Sequence, residues 1–254
     1  MISLKSSDEI ERMRRAGKIT AAARALAGEM VTVGVTTREI DKAVHAYIVA
    51  QGAIPAFLNY NGFPASVCIS VNEQVIHGIP GPVILRDGDL VSIDVGAVKD
   101  GYVGDCAATY IAGTGSEDAQ RLIEVTRQSF YEGIKFARAG RRISDISGAI
   151  QDYVERHGMS VVRDFVGHGI GKKLHESPEV PNFVLKPRKG ADPRLLPGMT
   201  LAIEPMVNAG RAAVRILSDG WTVVTADGSM SAHYENTILI TDGEPEILTI
   251  NEGA

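Results

Sequence analysis

The chain has 254 residues, 44% of them hydrophobic, which is enough for one large hydrophobic core or two modest ones. Its formal net charge of -5 argues against a protein that binds DNA or RNA by broad neutralisation of phosphates. The two cysteines, Cys68 and Cys106, form no CxxC pair, which disfavours a disulfide scaffold and a cysteine-based zinc site.

The N-terminal stretch "MISLKSSDEIERMRRAGKI" is charged within its first turns and has no apolar stretch of signal-peptide length. No run of about 18 apolar residues occurs along the chain, so we expect no membrane span. These features are typical of a protein of the reducing cytoplasm.

Four helices are predicted, two in each half of the chain. The first begins near Ser6, because Ser6 and Glu9 form a Ser-x-x-Glu capping box. The second ends at Gly52 and the fourth at Gly158, since glycine favours the left-handed conformation that terminates helices. Strands and loops are expected after each helix pair. The predicted helices cover about 7–30, 37–50, 116–137 and 144–156.

The two halves of the chain resemble each other. The segment "GVTTREIDKAVHAYIVAQG" aligns without a gap with "GRRISDISGAIQDYVERHG". The segment "GDLVSIDV" aligns with "GMTLAIEP", which matches Asp94 with Glu204. The segment "DCAATYIAG" aligns with "ENTILITDG", which matches Asp105 with Glu235. One long repeat, seen twice in the same order, therefore organises the sequence.

This repeat predicts a single domain over 1–254 with halves of about 1–113 and 114–250. We expect an α/β fold in which strands from both halves share one sheet and helices cover one side of it.

The segment "VSIDVGAVKDGYVGDCAATY" reads as two apolar strands around a turn, yet each strand carries an aspartate. If Asp100 and Gly101 form a two-residue turn, Asp94 and Asp105 lie on the same face as diagonal neighbours, about 7–8 Å apart at the backbone. A shift of one residue in the register would put them on opposite faces.

By the repeat, Glu204 and Glu235 join the two aspartates. Four close carboxylates cannot all stay ionised in an apolar sheet without cations, and two divalent metal ions would balance them. The alternative is that each acid lies on an exposed strand face. His168, between two glycines, offers an imidazole. Four carboxylates with one histidine suit Mn(II), Fe(II) or Co(II) as the metal ion, and Zn(II) is also open.

Five segments identify a family resemblance: "SVCISVNEQVIHGIP", "SIDVGAVKDGYVGDCAATY", "VGHGIGKKLHESPEVPNF", "PGMTLAIEPM" and "SAHYENTILIT". With them, nearly the whole chain resembles the type I methionine aminopeptidases. The resemblance implies the pita-bread fold, an α/β (α+β) fold in which pseudo-twofold-related halves share a curved, mainly antiparallel sheet covered by helices. The long insertion of type II enzymes and an N-terminal zinc finger are absent from this sequence.

The resemblance also implies roles for individual residues. Glu204 would be the general base, His175 would donate a hydrogen bond to the developing oxyanion, and His77 would contact the substrate backbone. The ligands of two divalent ions (Co, Mn, Fe(II), Zn or Ni) would be Asp94, Asp105, His168, Glu204 and Glu235. The pocket for the methionine side chain would be lined by Tyr60, Phe63, Cys68 and Trp221, with His77 and His175 beside the substrate.

The sequence departs from the family pattern at three positions. Phe63 stands where a tyrosine is common, and His233 and Asn236 stand where glutamine and histidine are common. We expect Phe63 to leave the pocket rim without one hydroxyl, and His233 and Asn236 to alter hydrogen bonding around the metal ligands or metal affinity. We do not expect these changes to abolish activity. Asn72 and Ser231 match positions that hold a monovalent cation (Na or K) in some family members.

The expected function is hydrolytic removal of the initiator methionine from nascent proteins when the second residue is small. We expect a cytoplasmic monomer whose partners are the N-terminal peptides of nascent proteins. The basic end of the third helix is interpreted as a solvated face, with transient ribosome contact as the alternative. Two other functions stay open: a same-fold Xaa-Pro aminopeptidase or dipeptidase, which usually carries an additional N-terminal domain, and a non-catalytic binding protein, which would usually lack metal ligands.

Overall fold

The computed structural model describes residues 2–184 and 192–250. In this part of the chain the helices are α1 (Ser7–Glu29), α2 (Thr37–Ala50), α3 (Glu117–Ile134) and α4 (Ile143–Arg156). The strands of the first half are β1 (Ile54–Pro55), β2 (Val67–Val71), β3 (Gln74–Ile76), β4 (Leu90–Lys99) and β5 (Tyr102–Ile111). Those of the second half are β6 (Ser160–Val161), β7 (Gly167–Gly169), β8 (Glu176–Val180), β9 (Thr200–Ile203), β10 (Met206–Asn208), β11 (Val214–Ile216), β12 (Val223–Thr225), β13 (Ser231–His233), β14 (Glu235–Leu239) and β15 (Glu246–Ile247).

The main sheet combines strands from both halves in the order β1-β4-β5-β14-β9-β7-β8, with β2 on β4 and β15 on β14. Its strand pairs are antiparallel. Two three-stranded sheets, β13-β10-β6 and β11-β12-β3, complete the sheet structure of the described residues. The expected α/β fold with a mainly antiparallel sheet shared by both halves is confirmed. Within the described residues, no helix combines the length and hydropathy needed to cross a membrane.

The hairpin between β4 and β5 has the predicted register. Asp100 and Gly101 both adopt positive φ, 52° and 79°, as a two-residue hairpin turn of this kind requires. Asp94 pairs with Ala107, and Gly96 pairs with Asp105. The two aspartates are therefore diagonal neighbours on one face of the sheet.

Helix boundaries follow the capping signals closely. Ser6 and Glu9 form the expected capping box at the start of α1. The end of α3 differs from the prediction, because the helix stops at Ile134 and not at Ala137. There, the amides of Phe136 and Ala137 bond three residues back, to Gly133 and Ile134, which tightens the last turn and leads the chain out of the helix.

The two halves share local geometry at the entrance to their second helices. Gly34 and Gly140 both have positive φ, 94° and 85°. The amide of Gly34 donates to the carbonyl of Leu85, and that of Gly140 donates to Leu195, both at 2.9 Å. The helices that follow, α2 and α4, each have 14 residues.

Helices α1 and α2 cover one face of the first half of the sheet. Ile93 of β4 packs in one cluster with Ile40 and Val44 of α2. A Cβ atom added to Gly104 of β5 would lie 2.9 Å from the backbone of α1, so residue 104 faces the helix. Because side chains alternate along a strand, Asp105 points to the opposite face, away from α1.

Candidate metal centre and active site

Four carboxylates converge on the face of the main sheet that α1 and α2 leave uncovered. Ala107 of β5 pairs with Asp94 on one side and with Glu235 on the other. Asn236 pairs with Ile203, so Glu235 continues this register next to Glu204, just beyond the end of β9. The sheet thus brings Asp94, Asp105, Glu204 and Glu235 together from both halves of the chain.

His168 of β7 adds an imidazole to this group. Its Nδ1 lies 2.9 Å from the carbonyl oxygen of Gly169, to which it donates in the neutral ring. Its Nε2 then carries the lone pair and lies 3.5 Å from Glu204 Oε1 and 3.7 Å from Asp105 Oδ2. A backbone hydrogen bond on one nitrogen that leaves the other free is the usual arrangement of a metal-binding histidine.

Burial and mutual repulsion raise the pKa values of the carboxyl groups. Burial, then the charges of neighbouring acids, hold the pKa values of Asp105, Glu204 and Glu235 well above their usual range. Burial also raises the pKa of Asp94 to about 7. The centre therefore favours cations, either protons or metal ions, because four negative charges cannot persist unbalanced at this depth.

The donor atoms fit divalent metal ions. Asp94 Oδ1, Asp105 Oδ1 and Glu235 Oε1 are buried without a hydrogen-bond partner. Ligand atoms of Asp105, His168 and Glu235 all lie within 4.8 Å of one another. Carboxylate oxygens with one imidazole suit hard or borderline divalent ions of the first transition row.

The raised pKa values predict how the stability of the metal-free protein depends on pH. A carboxyl group whose pKa is raised by folding stabilises the fold below its ordinary pKa and loses that contribution as pH rises through the folded value. For Asp94 this window runs from its ordinary 3.8 to about 7. The melting temperature in chelator should therefore fall between about pH 4 and pH 7.

Thermal denaturation of the Asp94→Asn variant in chelator is the control, because it removes one of the raised carboxyl groups and should flatten the pH profile. A wild-type melting temperature that rises over this window, with the same slope in the variant, would contradict the role of the carboxylate cluster.

A pocket of about 240 Å³ opens beside the carboxylates. Its wall includes every residue predicted to act on the substrate, namely Tyr60, Phe63, Cys68, His77, His175 and Trp221, together with the five candidate metal ligands. Further lining residues that the sequence did not indicate are Phe57, Asn61, Ile76, Phe165, Val166 and Leu174. Two of these, Ile76 and Leu174, directly precede predicted histidines, which is the only sequence signal for them.

Aromatic rings and a thiol form the apolar part of the pocket. Phe63 and Trp221 pack edge to face with their ring centres 5.2 Å apart. Cys68 pairs with Asp94 across β2 and β4, and so faces the same side of the sheet. Burial, reinforced by nearby carboxylates, raises the pKa of the Cys68 thiol well above its usual value. The thiol therefore favours its neutral form and adds an uncharged surface to the pocket.

Two histidines lie beside the carboxylates. Burial lowers the pKa of His77 to about 4, and desolvation also lowers the pKa of His175, although His175 is exposed to solvent. Both shifts favour the neutral imidazole. The Tyr60 hydroxyl lies 2.7 Å from His175 Nδ1; when this hydroxyl donates the hydrogen bond, Nε2 of the neutral ring carries the hydrogen and can donate.

Two of the three departures from the family pattern, His233 and Asn236, lie close to Glu235. His233 Nε2 is buried without a hydrogen-bond partner, 3.9 Å from Glu235 Oε2. The side-chain oxygen of Asn236 accepts hydrogen bonds from Arg24 at 3.3 Å and from Thr249 at 3.0 Å. The guanidinium of Arg24 also donates to the carbonyl of Glu235, a contact that sequence reasoning did not find.

The remaining predicted positions are also adjacent in the fold. The amide of Ser231 donates to the carbonyl oxygen of Asn72 at 3.0 Å, so the two segments suggested for a monovalent cation meet. Asn182, a fully buried residue that sequence reasoning missed, donates to the carbonyl oxygen of Glu204 at 3.0 Å. Asn182 thereby holds the backbone from which a candidate metal ligand projects.

Residues 11–242 match the metallopeptidase family M24. The methionine aminopeptidase of Clostridium perfringens (strain 13 / Type A) is 55% identical over 250 residues, covering 98% of this chain and 99% of the relative. Methionine aminopeptidase 1 of Bacillus subtilis (strain 168) is 51% identical over 98% of this chain and 99% of its own length.

Among solved structures, methionine aminopeptidases also match this chain over nearly its full length. The crystal structure of the methionine aminopeptidase from Thermotoga maritima matches with a TM-score of 0.95 at 44% identity, covering 99% of this chain and all of that one. The prolidase from Pyrococcus furiosus shares the fold with a TM-score of 0.79 at 22% identity, but this chain covers only 66% of it. The chain thus matches the full length of the methionine aminopeptidase structure, but only about two thirds of the prolidase structure.

Proposed function

The chain belongs to metallopeptidase family M24, and from this premise we propose that it hydrolytically removes the N-terminal methionine of nascent proteins when the second residue is small. The observation that carries the proposal is a centre of four carboxylates and one imidazole facing an apolar pocket of about 240 Å³. Relatives at 45–55% identity over nearly the whole chain, each called a methionine aminopeptidase, support it.

The proposed ligands of two divalent ions are Asp94, Asp105, His168, Glu204 and Glu235. When bound, such ions polarise a carbonyl group and lower the pKa of the attacking water. Co, Mn, Fe(II), Zn and Ni are all compatible with this donor set. Glu204 is the proposed general base: its carboxylate takes a proton from the water and delivers it to the leaving amine.

The two histidines are proposed to act on the substrate directly. The Nε2–H of His175 donates to the oxygen on which negative charge develops, a type of contact that strengthens in the transition state. His77 contacts the peptide backbone beyond the scissile bond. Neither role needs a charged imidazole, in agreement with the lowered pKa values of both rings.

The pocket is proposed to select methionine by shape and polarisability. A flexible thioether packs favourably against the rings of Phe63 and Trp221 and against the thiol of Cys68. Tyr60 completes the rim. These four residues carry no charged group that would stabilise a charged substrate side chain.

The wider setting is also part of the proposal. We propose one catalytic domain, acting as a monomer in the cytoplasm on the N-termini of nascent proteins, with transient ribosome contact open to test. Asn72 and Ser231 are proposed to hold one monovalent cation, Na or K, through backbone carbonyl groups.

Product analysis with three peptides tests the proposal. The metal-loaded protein should release the first residue from a peptide that begins Met-Gly, and not from peptides that begin Ala-Gly or Ala-Pro. Preferred cleavage of the Ala-Pro peptide would replace the proposal with a proline-directed aminopeptidase. Absence of turnover with each of the five metals would indicate a binding protein.

A further inference from the structure

The segment before α1 reaches the loop that carries His175. Lys5 is only 8% exposed, which is unusual for a lysine. Its amide donates to the carbonyl oxygen of Gly198 at 2.8 Å, which fixes its backbone. Its ammonium group lies 2.7 Å from Glu176 Oε2, forming an ion pair between residues 171 positions apart in the sequence.

Glu176 connects this ion pair to the loop. Its other oxygen, Oε1, accepts the amide hydrogen of Lys173 at 3.2 Å. A Cβ atom added to Gly171 would lie 2.6 Å from Lys5 Cε and 2.7 Å from Glu176 Oε1, so this pair packs tightly against the loop backbone. The carbonyl oxygen of Gly171 in turn accepts the amide of Val103 on β5 at 2.9 Å. The loop over 171–174 is therefore held at both of its ends.

Glu176 is the first residue of β8 and directly follows His175. Neighbouring side chains in an extended chain point to opposite sides. Glu176 points to the N-terminal segment, and His175 lines the pocket beside His168, with their ring centres 4.2 Å apart. Fixing the Glu176 carboxylate therefore fixes the backbone from which the His175 imidazole projects.

We infer that Lys5 is a positioning residue, which acts through Glu176 to hold His175 in the orientation that the reaction needs. This inference rests on the proposed function for its catalytic consequence. Displacement of a catalytic group by about 1 Å can cost about a hundredfold in rate. The Lys5→Met variant keeps an apolar side chain of similar length but loses the ammonium group.

The expected result for Lys5→Met is a fall in kcat of about 10- to 100-fold, with KM changed by less than about threefold and metal content unchanged. Arg14→Met is the matched control. Arg14 also joins the N-terminal part of the chain to a distant acid, Glu246, at 2.7 Å, but it lies outside the pocket wall. This control should lose stability without losing kcat at a temperature at which both variants are folded.

Hydrogen exchange separates positioning from general loss of stability. The amides over 172–176 should exchange faster in Lys5→Met than in the wild type, and they should be unchanged in Arg14→Met. If Lys5→Met does not fold, Glu176→Gln replaces it in the comparison with Arg14→Met. The carboxamide of Gln keeps the shape of the side chain and an acceptor for the Lys173 amide, but it loses the charge that pairs with Lys5.

Two results would overturn the inference: equal kcat in Lys5→Met and Arg14→Met, or a loss of kcat that follows a loss of bound metal. A wild-type protein that releases no methionine would instead refute the proposed function. The exchange of the amides over 172–176 would still decide whether Lys5 holds the loop.

Discussion

Replacing Asp105 with asparagine should lower methionine release by about a thousandfold or more and reduce bound metal in the same sample. Asp105 lies among all the other candidate ligands, next to Asp94 and 3.7 Å from His168 Nε2. A carboxamide has the same shape but carries no charge. Metal analysis and kcat/KM on a Met-Gly peptide measure the two losses together.

The same substitution elsewhere in the hairpin gives the control. Asp100 lies at the turn with φ of 52° and pairs with Arg15 at 2.8 Å on the surface. Asparagine tolerates this left-handed conformation, so Asp100→Asn should keep both metal and activity. Full metal content and full activity in Asp105→Asn would refute the proposed ligand set.

Asp105→Asn has a second expected consequence, for the metal-free protein. Because burial and neighbouring acids hold the pKa of Asp105 well above its usual range, its ionised form destabilises the fold without metal. Removing the carboxylate should therefore raise the melting temperature in chelator at neutral pH. The site would then gain stability while losing function, as is common where charges are gathered for catalysis.

Replacing His175 with alanine should lower kcat by about a hundred- to a thousandfold, with KM and metal content almost unchanged. The reason is that its Nε2–H is proposed to contact the oxyanion only as negative charge develops, and it is not among the proposed metal ligands. Steady-state kinetics on the Met-Gly peptide, with metal analysis of the same protein, measure this effect.

His157→Ala is the matched control for the loss of an imidazole. His157 caps the end of α4, and its Nδ1 contacts the carbonyl of Tyr153 at 2.7 Å, away from the pocket wall. This variant should keep the wild-type kcat. A His175→Ala variant that changes KM alone would assign His175 to substrate binding rather than to catalysis.

Local signals predicted much of the fold. The Asp-Gly turn defined the register of β4 and β5, and alternation along the two strands then placed both aspartates on one face. The repeat placed Glu204 and Glu235 with them, since the matched strands β5 and β14 lie side by side in the shared sheet and the matched strands β4 and β9 flank this pair. Both inferences needed only the order of residues within short segments.

The supporting contacts could not be predicted in this way. Lys5 with Glu176, Arg24 with Asn236, and Asn182 with Glu204 each join residues that are distant in sequence. No periodicity or motif specifies such a pair, because it depends on how separate elements pack. The early end of α3 has a different origin, since the chain beyond it turns by local hydrogen bonds that helix propensity does not reveal.

The central claim is that the metal centre drives the release of N-terminal methionine, and removal and return of metal tests it most directly. Release from a Met-Gly peptide should be measured before chelation, after dialysis with chelator to metal-free protein, and after adding back Mn(II) or Co(II). We predict that activity disappears with the metal and returns with it. Continued release at the original rate by protein shown by elemental analysis to be metal-free would contradict the account.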